Sequence, residues 1–488
     1  MIFAPNLSLP SEAQNKAQNS YEQKKLSMTC ICTISQAIAI TSATVANIDD
    51  NAQKNIEIRG VISDSRKLKA GELFVALTGE NFDGHRFVAR AIAQGAVAAL
   101  VSREWASSEA ALGLPVLAVD DIITAYQDLA RWWRSQFLQP VVSITGSVGK
   151  TTTKEIIASM LACYVAPDQL VHKSQANHNN DIGVAQTLLS IDPERDSFVV
   201  VEMGMRGLGE IERLAKTALP TVSVITNVGT AHIGRLGSRE AIAQAKCELL
   251  METSPTGTAV LNASNPLLLE MASKVWQGKT ITYGLGIGDV NGELIDTQLH
   301  VEGLTWELPL PGRHNALNFL AGLAVLRALN LDWNRTTQGI GKLDLPFGRA
   351  QVYELPQDVI ILDETYNASP EGMLAALRQL ADMPAKRHWA VLGTMKELGE
   401  MSTQLHCQVG EEISKLGIEG AIVLTDGEAD AILAGANGSL KYAIACQSYD
   451  DITQTLLQKV KGGDRILFKA SRSVGMDQVV KAFRQTWQ

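Results

Sequence analysis

The chain has 488 residues, 46% of them hydrophobic and 19% charged, with a formal net charge of −9. Such a length exceeds one hydrophobic core and predicts roughly two to four domains. The acidic balance excludes nucleic acid as the main partner, because phosphate backbones select for basic faces, but it leaves room for a small anion in a local basic pocket.

No uninterrupted apolar run reaches membrane-spanning length, so no membrane insertion is expected. Residues 1–27 are polar and lack the apolar stretch of a secretion signal; they read as a disordered tail, with Met28 an alternative start. The six cysteines stand at 30, 32, 163, 247, 407 and 446. Cys30-Ile31-Cys32 lacks zinc-knuckle spacing, and all six read as free thiols of a cytoplasmic protein.

From about 55 to 120, short apolar strands alternate with loops: "ELFVAL" (72–77), "AVAALVS" (96–102) and "LPVLAVD" (114–120). Between the first two, "ENFDGHRFVARAIAQGA" runs from a loop into a helix ending at Gly95. This is a small α/β domain. The helix "DIITAYQDLARWWRSQF" then leads to Pro140, with Trp132 and Trp133 as packing anchors. From 141 the pattern repeats strand, turn, helix. "VVSIT" (141–145), "SFVVVEMG" (197–204) and "TVSVITNVG" (221–229) are nearly continuous apolar strands, as a parallel sheet covered on both faces requires. "TAVLNA" (258–263) and "TITYG" (280–284) extend the sheet, and "HNALNFLAGLAVLRALN" is an apolar helix. Turn residues in "LDLPFGRAQVYELPQD" mark a boundary near 345. A third α/β unit follows, with strands "VIILDE" (359–364), "HWAVLGT" (388–394), "AIVLT" (421–425) and "RILFKAS" (465–471). Helices are expected at about 370–381, 402–416 and 475–486.

The chemistry starts at "VVSITGSVGKTTTKEII". Phosphate binding needs several backbone N–H groups converging at a helix N-terminus, glycines that let the backbone approach, a lysine for the terminal phosphates and a hydroxyl for a metal ion. Gly146, Ser147, Val148 and Gly149 supply the turn, Lys150 the clamp, and Thr151 or Thr152 the hydroxyl. Ile144 stands where a Walker A motif carries its first glycine. A GTPase switch would need Asn-Lys-x-Asp, which the chain lacks. A P-loop kinase and a nucleotide-gated module without turnover both stay open on this motif alone.

The neighbouring strand ends are where ligands of open α/β sheets bind. Glu202 ends "FVVVEMG" and either holds a metal ion or caps a turn. His232 follows the next strand in "TNVGTAHIG", with structural and ligand roles both open. Lys246, in the amphipathic helix "REAIAQAKCELL", reads from composition as a solvated face residue.

"TGSVGKTTTKE", "NHNNDIGVAQTLL", "VEMGMRGLGEI", "ITNVGTAHIGRLGSREAIAQAKCELL", "LPGRHNALNFLAGLAV", "FGRAQ" and "LDETYNASPEGM" occur in this order. Together they resemble the Mur ligase family of ATP-dependent amide-bond-forming enzymes over about residues 55 to 480. That family's loop also lacks the early Walker glycine. The resemblance implies three α/β domains: an N-terminal UDP-muropeptide-binding domain (28–137), a central P-loop ATPase domain with a parallel sheet (138–345) and a C-terminal Rossmann-like domain (346–488). "GVISDSRKLKAGELFVALTGENFDGHRF" and "YNASP" point, within the family, to joining D-Ala-D-Ala onto a UDP-MurNAc-tripeptide. A sibling that adds one amino acid, or a folylpolyglutamate synthase, shares the ATP core and is the alternative.

The resemblance also implies roles. Lys150 and Thr151 bind ATP phosphates and Mg²⁺; Glu202 and His232 are metal ligands; Lys246 is a lysine carried as a carbamate. Asn318 contacts adenine, and Arg349 and Asp363 close the third domain over the nucleotide. Asn179 and Asn180 line the muropeptide site, while Ser65, Arg66 and the Phe82, Asp83 and His85 loop hold the UDP-sugar. Tyr366 and Asn367 meet the dipeptide. Three positions depart from the family strings: Ser369 replaces the second Asn of "YNANP", Ala470 stands where Gly is common, and Glu364 where a shorter or uncharged residue is usual. The catalytic group is Lys150, His232 and Lys246, with the general base for the amine left unnamed and a monomer expected.

Overall fold

The structure is a computed structural model that describes residues 31–487. The expected tail over 1–27, with Met28 and Cys30, lies outside these residues. The described residues group into two compact units. One runs to Gln136 and takes in Leu188–Asp192; the other is Phe137–Thr187 with Pro193 onward.

The first unit is built on a five-stranded sheet in the order Thr44–Ala46, Val116–Val119, Ala98–Ser102, Leu73–Val75, Val61–Ile62. Only the first pair is antiparallel. The three apolar runs expected from the sequence form its centre, and their side chains are buried. Burying a Val, Leu or Ile side chain contributes about 1.5–3 kcal/mol. Helix Ile122–Ser135 is capped by Asp121, whose carboxylate accepts the Thr124 N–H at 2.8 Å. It buries Tyr126, Leu129 and Trp133, and the Trp133 indole donates to Ile191 O at 3.3 Å. Trp133 is thus the packing anchor its sequence suggested.

The second unit holds two sheets. The larger has nine strands, in the order Leu170–Lys173, Asp196–Glu202, Val141–Thr145, Val222–Ile225, Thr258–Asn262, Lys279–Leu285, Val290–Ile295, Gln298–Val301, Leu304–Glu307. Pairing is parallel as far as Val290–Ile295 and antiparallel in the last two ladders. Every residue of Val141–Thr145 is buried, as a central parallel strand demands. Helices Lys150–Leu161 and Arg313–Ala328 pack together over this sheet, joining Ile156, Met160, Phe319 and Leu323 to the core. Sequence patterning missed Leu170–Lys173 and the whole antiparallel meander from Val290 to Glu307.

The other sheet has six strands, in the order Gln351–Leu355, Val359–Asp363, Asp464–Lys469, Arg387–Leu392, Gly420–Leu424, Tyr442–Cys446. All pairs are parallel except the first. Gln351–Leu355 corrects the reading of that stretch as turn: its N–H and C=O groups pair with Val359–Asp363 as an edge strand. Buried Asp464 starts its strand and accepts from Arg387 at 2.6 and 3.0 Å, the Trp389 indole at 3.2 Å and the Lys461 N–H at 2.8 Å. A buried carboxylate with all these donors is satisfied, and losing it would strand the guanidinium. Thr145, Glu202 and Asp363, each with an unpartnered buried oxygen, end parallel strands of the two sheets, where open α/β sheets bind ligands.

Candidate active site

The phosphate loop leaves strand Val141–Thr145 at Gly146 and enters helix Lys150–Leu161 at Gly149. Gly149 lies at φ +85° and offers no side-chain cap, so the first helical N–H groups stay open for an anion. Glycine is required at both turns. A Cβ on Gly146 would lie 1.9 Å from Thr226 Oγ1, and one on Gly149 2.7 Å from Asn318 Oδ1. The loop is held from the adjacent strand end. Thr226 Oγ1 and Asn227 Nδ2 donate to Val148 O at 2.7 and 3.0 Å, Asn227 Oδ1 accepts the Val148 N–H at 3.0 Å, and Ser147 Oγ accepts the Gly229 N–H at 2.9 Å. Thr226 and Asn227 were missed by sequence reasoning, although "TNVG" directly after a strand of the same sheet was the available signal.

Lys150 Nζ folds back onto Gly146 O and Ser147 O, at 2.8 and 3.4 Å, so its ammonium stands over the cradle. Burial holds its pKa below the usual lysine value; Glu202 opposes that shift and Arg349 adds to it. Glu202 is buried: its Oε1 accepts from Asn179 Nδ2 at 2.9 Å, Ser174 Oγ accepts its N–H at 3.1 Å, and its Oε2 has no hydrogen-bond partner. Lys154, itself bonded to Ser174 O at 2.8 Å, stands 4.0 Å from Glu202 Oε2. Asn179 therefore orients the carboxylate. Asn180 instead accepts the Gly183 N–H at 2.9 Å, at the start of helix Asp181–Leu189.

Lys246 corrects the composition-based reading of a solvated face: it is 1% exposed. Helix Arg239–Met251 buries most of its circumference, including Ile242, Ala245, Cys247, Leu249 and Leu250, so position 246 points inward. Burial drives its pKa well below the usual ammonium range, and the nearby Lys150 charge adds to this, while Cys247 and Glu371 oppose. A lowered pKa favours the free amine, the nucleophilic form that carbamate formation requires.

His232 sits in the left-handed region at φ 68° and heads the short helix Ile233–Leu236. Its Nδ1 meets Glu397 Oε2 at 2.5 Å, and Arg235 reaches Glu397 Oε1 at 3.1 Å. Burial lowers its pKa, Glu397 opposes, and Lys150 and Lys246 add to the lowering. Glu202 thus acts on Lys150, and Lys150 on both His232 and Lys246, which places the four in one cluster. Glu397, 165 residues along the chain from His232, was missed and has no local signal. Glu371 was missed too: its Oε1 accepts from Thr230 N and Oγ1 at 2.7 and 3.0 Å, while its buried Oε2 has no partner.

Asn318 lies against the loop, accepting from Thr153 Oγ1 at 3.1 Å and donating to Asn315 Oδ1 at 3.3 Å. Asp363 ends its strand fully buried. Its Oδ1 accepts from Thr365 N and Oγ1 at 3.1 and 2.6 Å, its Oδ2 is unpartnered, and burial raises its pKa. Arg349 has an unpartnered buried Nε, and its guanidinium lies 4.5 Å from the Tyr366 ring centre. Glu364 accepts the Ala350 N–H at 2.9 Å and lies 3.6 Å from Lys469 Nζ, which also donates to Asn367 O at 3.0 Å. The charge of Glu364 is therefore spent on bracing this loop. Ser369 caps helix Pro370–Asp382 by accepting the Gly372 N–H at 3.3 Å, a task Asn does equally well.

The remaining expected site residues belong to the first unit. Arg66 is exposed and pairs with Asp64 at 2.9 Å, which draws the Asp64 pKa down to about 2. Ser65 is buried beside it. Phe82 is half exposed and stacks on Phe87 at 5.7 Å. The His85 ring is committed inward: Nδ1 meets Asp83 Oδ1 at 2.8 Å, Nε2 accepts the Ser102 N–H at 3.1 Å, and Trp105 stacks at 5.3 Å. His85 therefore shapes the loop and leaves Phe82 and Arg66 as its outward groups.

Residues 57–134 match the Mur ligase family catalytic-domain model, 144–326 the Mur ligase middle domain and 348–472 the Mur ligase glutamate ligase domain. A Synechocystis protein named UDP-N-acetylmuramoyl-tripeptide–D-alanyl-D-alanine ligase is 48% identical over 436 residues, covering 88% of this chain and 93% of that one. The chain belongs to the Mur ligase family. Among solved structures, MurF from Acinetobacter baumannii superposes on this Mur ligase with a TM-score of 0.82 at 29% identity, over 93% of this chain and 99% of that one. MurF ligase from Thermotoga maritima, solved in complex with ADP, gives 0.75 at 31% identity, over 87% and 97%. The three-domain Mur ligase architecture, mixed α/β with parallel sheets, is therefore the fold of this chain.

The groups around the loop fit a triphosphate and a hard cation. Lys150 and open helix N–H groups face the cradle, and Glu202 has an unspent buried oxygen beside it. Among the described residues no three His, Cys, Asp or Glu side chains gather as a metal cluster. Mg²⁺ is bound by few protein oxygens together with phosphates, so the Thr151 hydroxyl and the free Glu202 oxygen fit it without such a cluster.

Proposed function

We propose that this Mur ligase joins D-Ala-D-Ala to a UDP-MurNAc-tripeptide with ATP, giving the UDP-MurNAc-pentapeptide used for peptidoglycan, ADP and phosphate. The observation that carries the reading is the half-buried Lys150 with buried Glu202 and Lys246 around a braced phosphate loop, in a chain 48% identical to a protein of that name. We assign residues 28–137 to the UDP-muropeptide, 138–345 to ATP and 346–488 to closure and the dipeptide, in a monomeric cytoplasmic enzyme. Among the described residues no helix is long and apolar enough to cross a membrane.

A carboxylate does not condense with an amine in water, because it is a poor electrophile. In the proposed reaction the tripeptide's terminal carboxylate attacks the γ-phosphorus, the bond to ADP breaks, and an acyl phosphate forms. The dipeptide amine then adds to the acyl carbon, its proton passes to a base, and phosphate departs. Lys150 follows the charge onto the γ-phosphate; preorganised cations of this kind do most of the work in phosphoryl transfer. Thr151, Glu202, His232 and carbamylated Lys246 would hold Mg²⁺, which supplies further charge neutralisation. Asn318, Arg349 and Asp363 hold the nucleotide, Asn179 and Asn180 the muropeptide end, and Ser65, Arg66 and the Phe82 loop the uridine end. Acyl phosphates hydrolyse, so closure about hinges near 138 and 345 excludes water. The test is phosphate release from ATP with UDP-MurNAc-tripeptide, with and without D-Ala-D-Ala. Release that requires both substrates is expected; release with glutamate or a single amino acid in place of the dipeptide would overturn the reading.

A further inference from the structure

Two guanidinium groups stand over the Tyr366 ring, Arg349 at 4.5 Å and Arg472 at 5.6 Å from its centre. Neither has an ion-pair partner among the described residues. The neighbouring carboxylates pair with neither arginine: Glu364 braces Ala350 and faces Lys469, and Asp363 is fully buried, its Oδ1 accepting from Thr365 and its Oδ2 unpartnered. Bringing two cations to one ring with no counter-charge is unfavourable in an unliganded protein and favourable once an anion arrives. Arg349 is half-buried with an unpartnered Nε, and its charge reaches Lys150, which ties it to the phosphate side. Arg472 is different. It opens the 3-10 turn Arg472–Val474 and is exposed, as is Asn367 next to Tyr366. Its turn follows strand Asp464–Lys469, and Tyr366 follows Val359–Asp363, the parallel neighbour. Both therefore project from the carboxyl ends of adjacent strands, the ligand edge of the sheet.

We infer that Arg472 binds the terminal carboxylate of the incoming dipeptide, with the Tyr366 ring holding its guanidinium flat for bidentate pairing. The inference rests on the proposed reaction and names the specificity group of its acceptor site. A dipeptide acceptor has one amine, which must reach the acyl carbon uncharged, and one carboxylate, which must be held away from it. An exposed guanidinium over an aromatic ring suits the second task, because Arg pairs with carboxylates in a planar fork.

The experiment measures KM for D-Ala-D-Ala and for its C-terminal amide in wild type, Arg472→Gln and Arg472→Lys, with KM for ATP and UDP-MurNAc-tripeptide as controls. Wild type should prefer the acid, and Arg472→Gln should raise KM for the acid roughly 10- to 100-fold while leaving the amide and both other substrates unchanged. Arg472→Lys, which keeps the charge and loses the fork, should fall between. Equal losses on acid and amide, or a rise confined to ATP, would overturn the inference while leaving the reaction standing. Wild type that releases no phosphate in response to the dipeptide would overturn the proposed reaction and the inference with it.

Discussion

Replacing Gly146 by alanine tests how the phosphate loop is built. The new Cβ would sit 1.9 Å from Thr226 Oγ1, on backbone held at φ +151°. The Thr226 backbone cannot retreat, because Val222–Ile225 is paired in register with Val142–Thr145. Relief must come from rotating the Thr226 side chain, which gives up its 2.7 Å bond to Val148 O. That bond contributes about 1 kcal/mol, and alanine in a glycine-only conformation adds about 1–2 kcal/mol of strain. The resulting loss of about 2–3 kcal/mol falls on the loop conformation that meets the nucleotide, roughly 30- to 150-fold in ADP affinity. Calorimetric titration with ADP reads this directly, and a thermal melt separates it from unfolding. Thr226→Ala alone should lose only the bond, roughly fivefold. The double variant has no collision left to relieve, so it should bind no worse than Gly146→Ala alone. Wild-type affinity in Gly146→Ala, or losses that simply add in the double variant, would refute the account of the braces.

Lys150→Ala should abolish ADP release that depends on both substrates, and near-normal turnover would remove the lysine from the phosphate site. Lys246→Ala should be nearly inactive and partly restored by short carboxylic acids, while the intact mass of wild type in bicarbonate should carry one added CO₂; full activity in the variant removes Lys246 from the metal site. Buried His406 accepts the Met395 N–H through Nε2 at 2.9 Å and donates from Nδ1 to Ser402 O at 2.7 Å, so the folded ring is neutral and burial holds its pKa below 6.5. The unfolded chain takes up this proton first, so stability present above pH 6.5 is lost as pH falls through it; His406→Gln should flatten the melting temperature between about pH 7 and 5, and an unchanged slope would refute the assignment. Ser369→Ala should cost about 1 kcal/mol in a urea titration, whereas Ser369→Asn should stay within a few tenths, because both residues cap helices well.

What the sequence made legible follows from which forces are local. Val141–Thr145, Asp196–Glu202 and Val222–Ile225 are buried on both faces, so their apolar runs announced them. The edge strand Tyr442–Cys446 and the meander from Val290 to Glu307 alternate buried and exposed residues over short spans, which dilutes the signal. One turn of the meander was nonetheless readable: Glu302-Gly303, with φ of 51° and 81°, is the paired positive-φ turn of a tight hairpin. The phosphate loop was legible because its residues are contiguous. Its braces at Thr226 and Asn227, some 79 residues from Val148, were not, since strand order decides which loop ends meet. Lys246 was misread because a lysine inside an otherwise apolar helix carries no mark of inward direction until the neighbours on every side are known.

The net charge of −9 and the cationic site are two scales of the same electrostatics. Acidic residues spread over the surface repel polyanions at long range, weakly, because salt screens them within about 8–10 Å. Inside the site the balance reverses: Lys150, Lys246 and Lys469 are all held below their usual pKa, in each case first by burial, with a neighbouring cation adding to it and Glu202 and Glu364 opposing it at Lys150 and Lys469. The unspent oxygens of Glu202, Asp363 and Glu371 do not neutralise them pair by pair, since none of the three oxygens accepts a hydrogen bond. Such an arrangement favours a bound triphosphate, so binding nucleotide also stabilises the fold. A surface basic enough to capture ATP from afar would bind any polyanion. A buried cradle with depressed lysines rewards only a ligand that fits between its fixed carbonyls and carboxylates, which is the selectivity an acyl-activating enzyme needs.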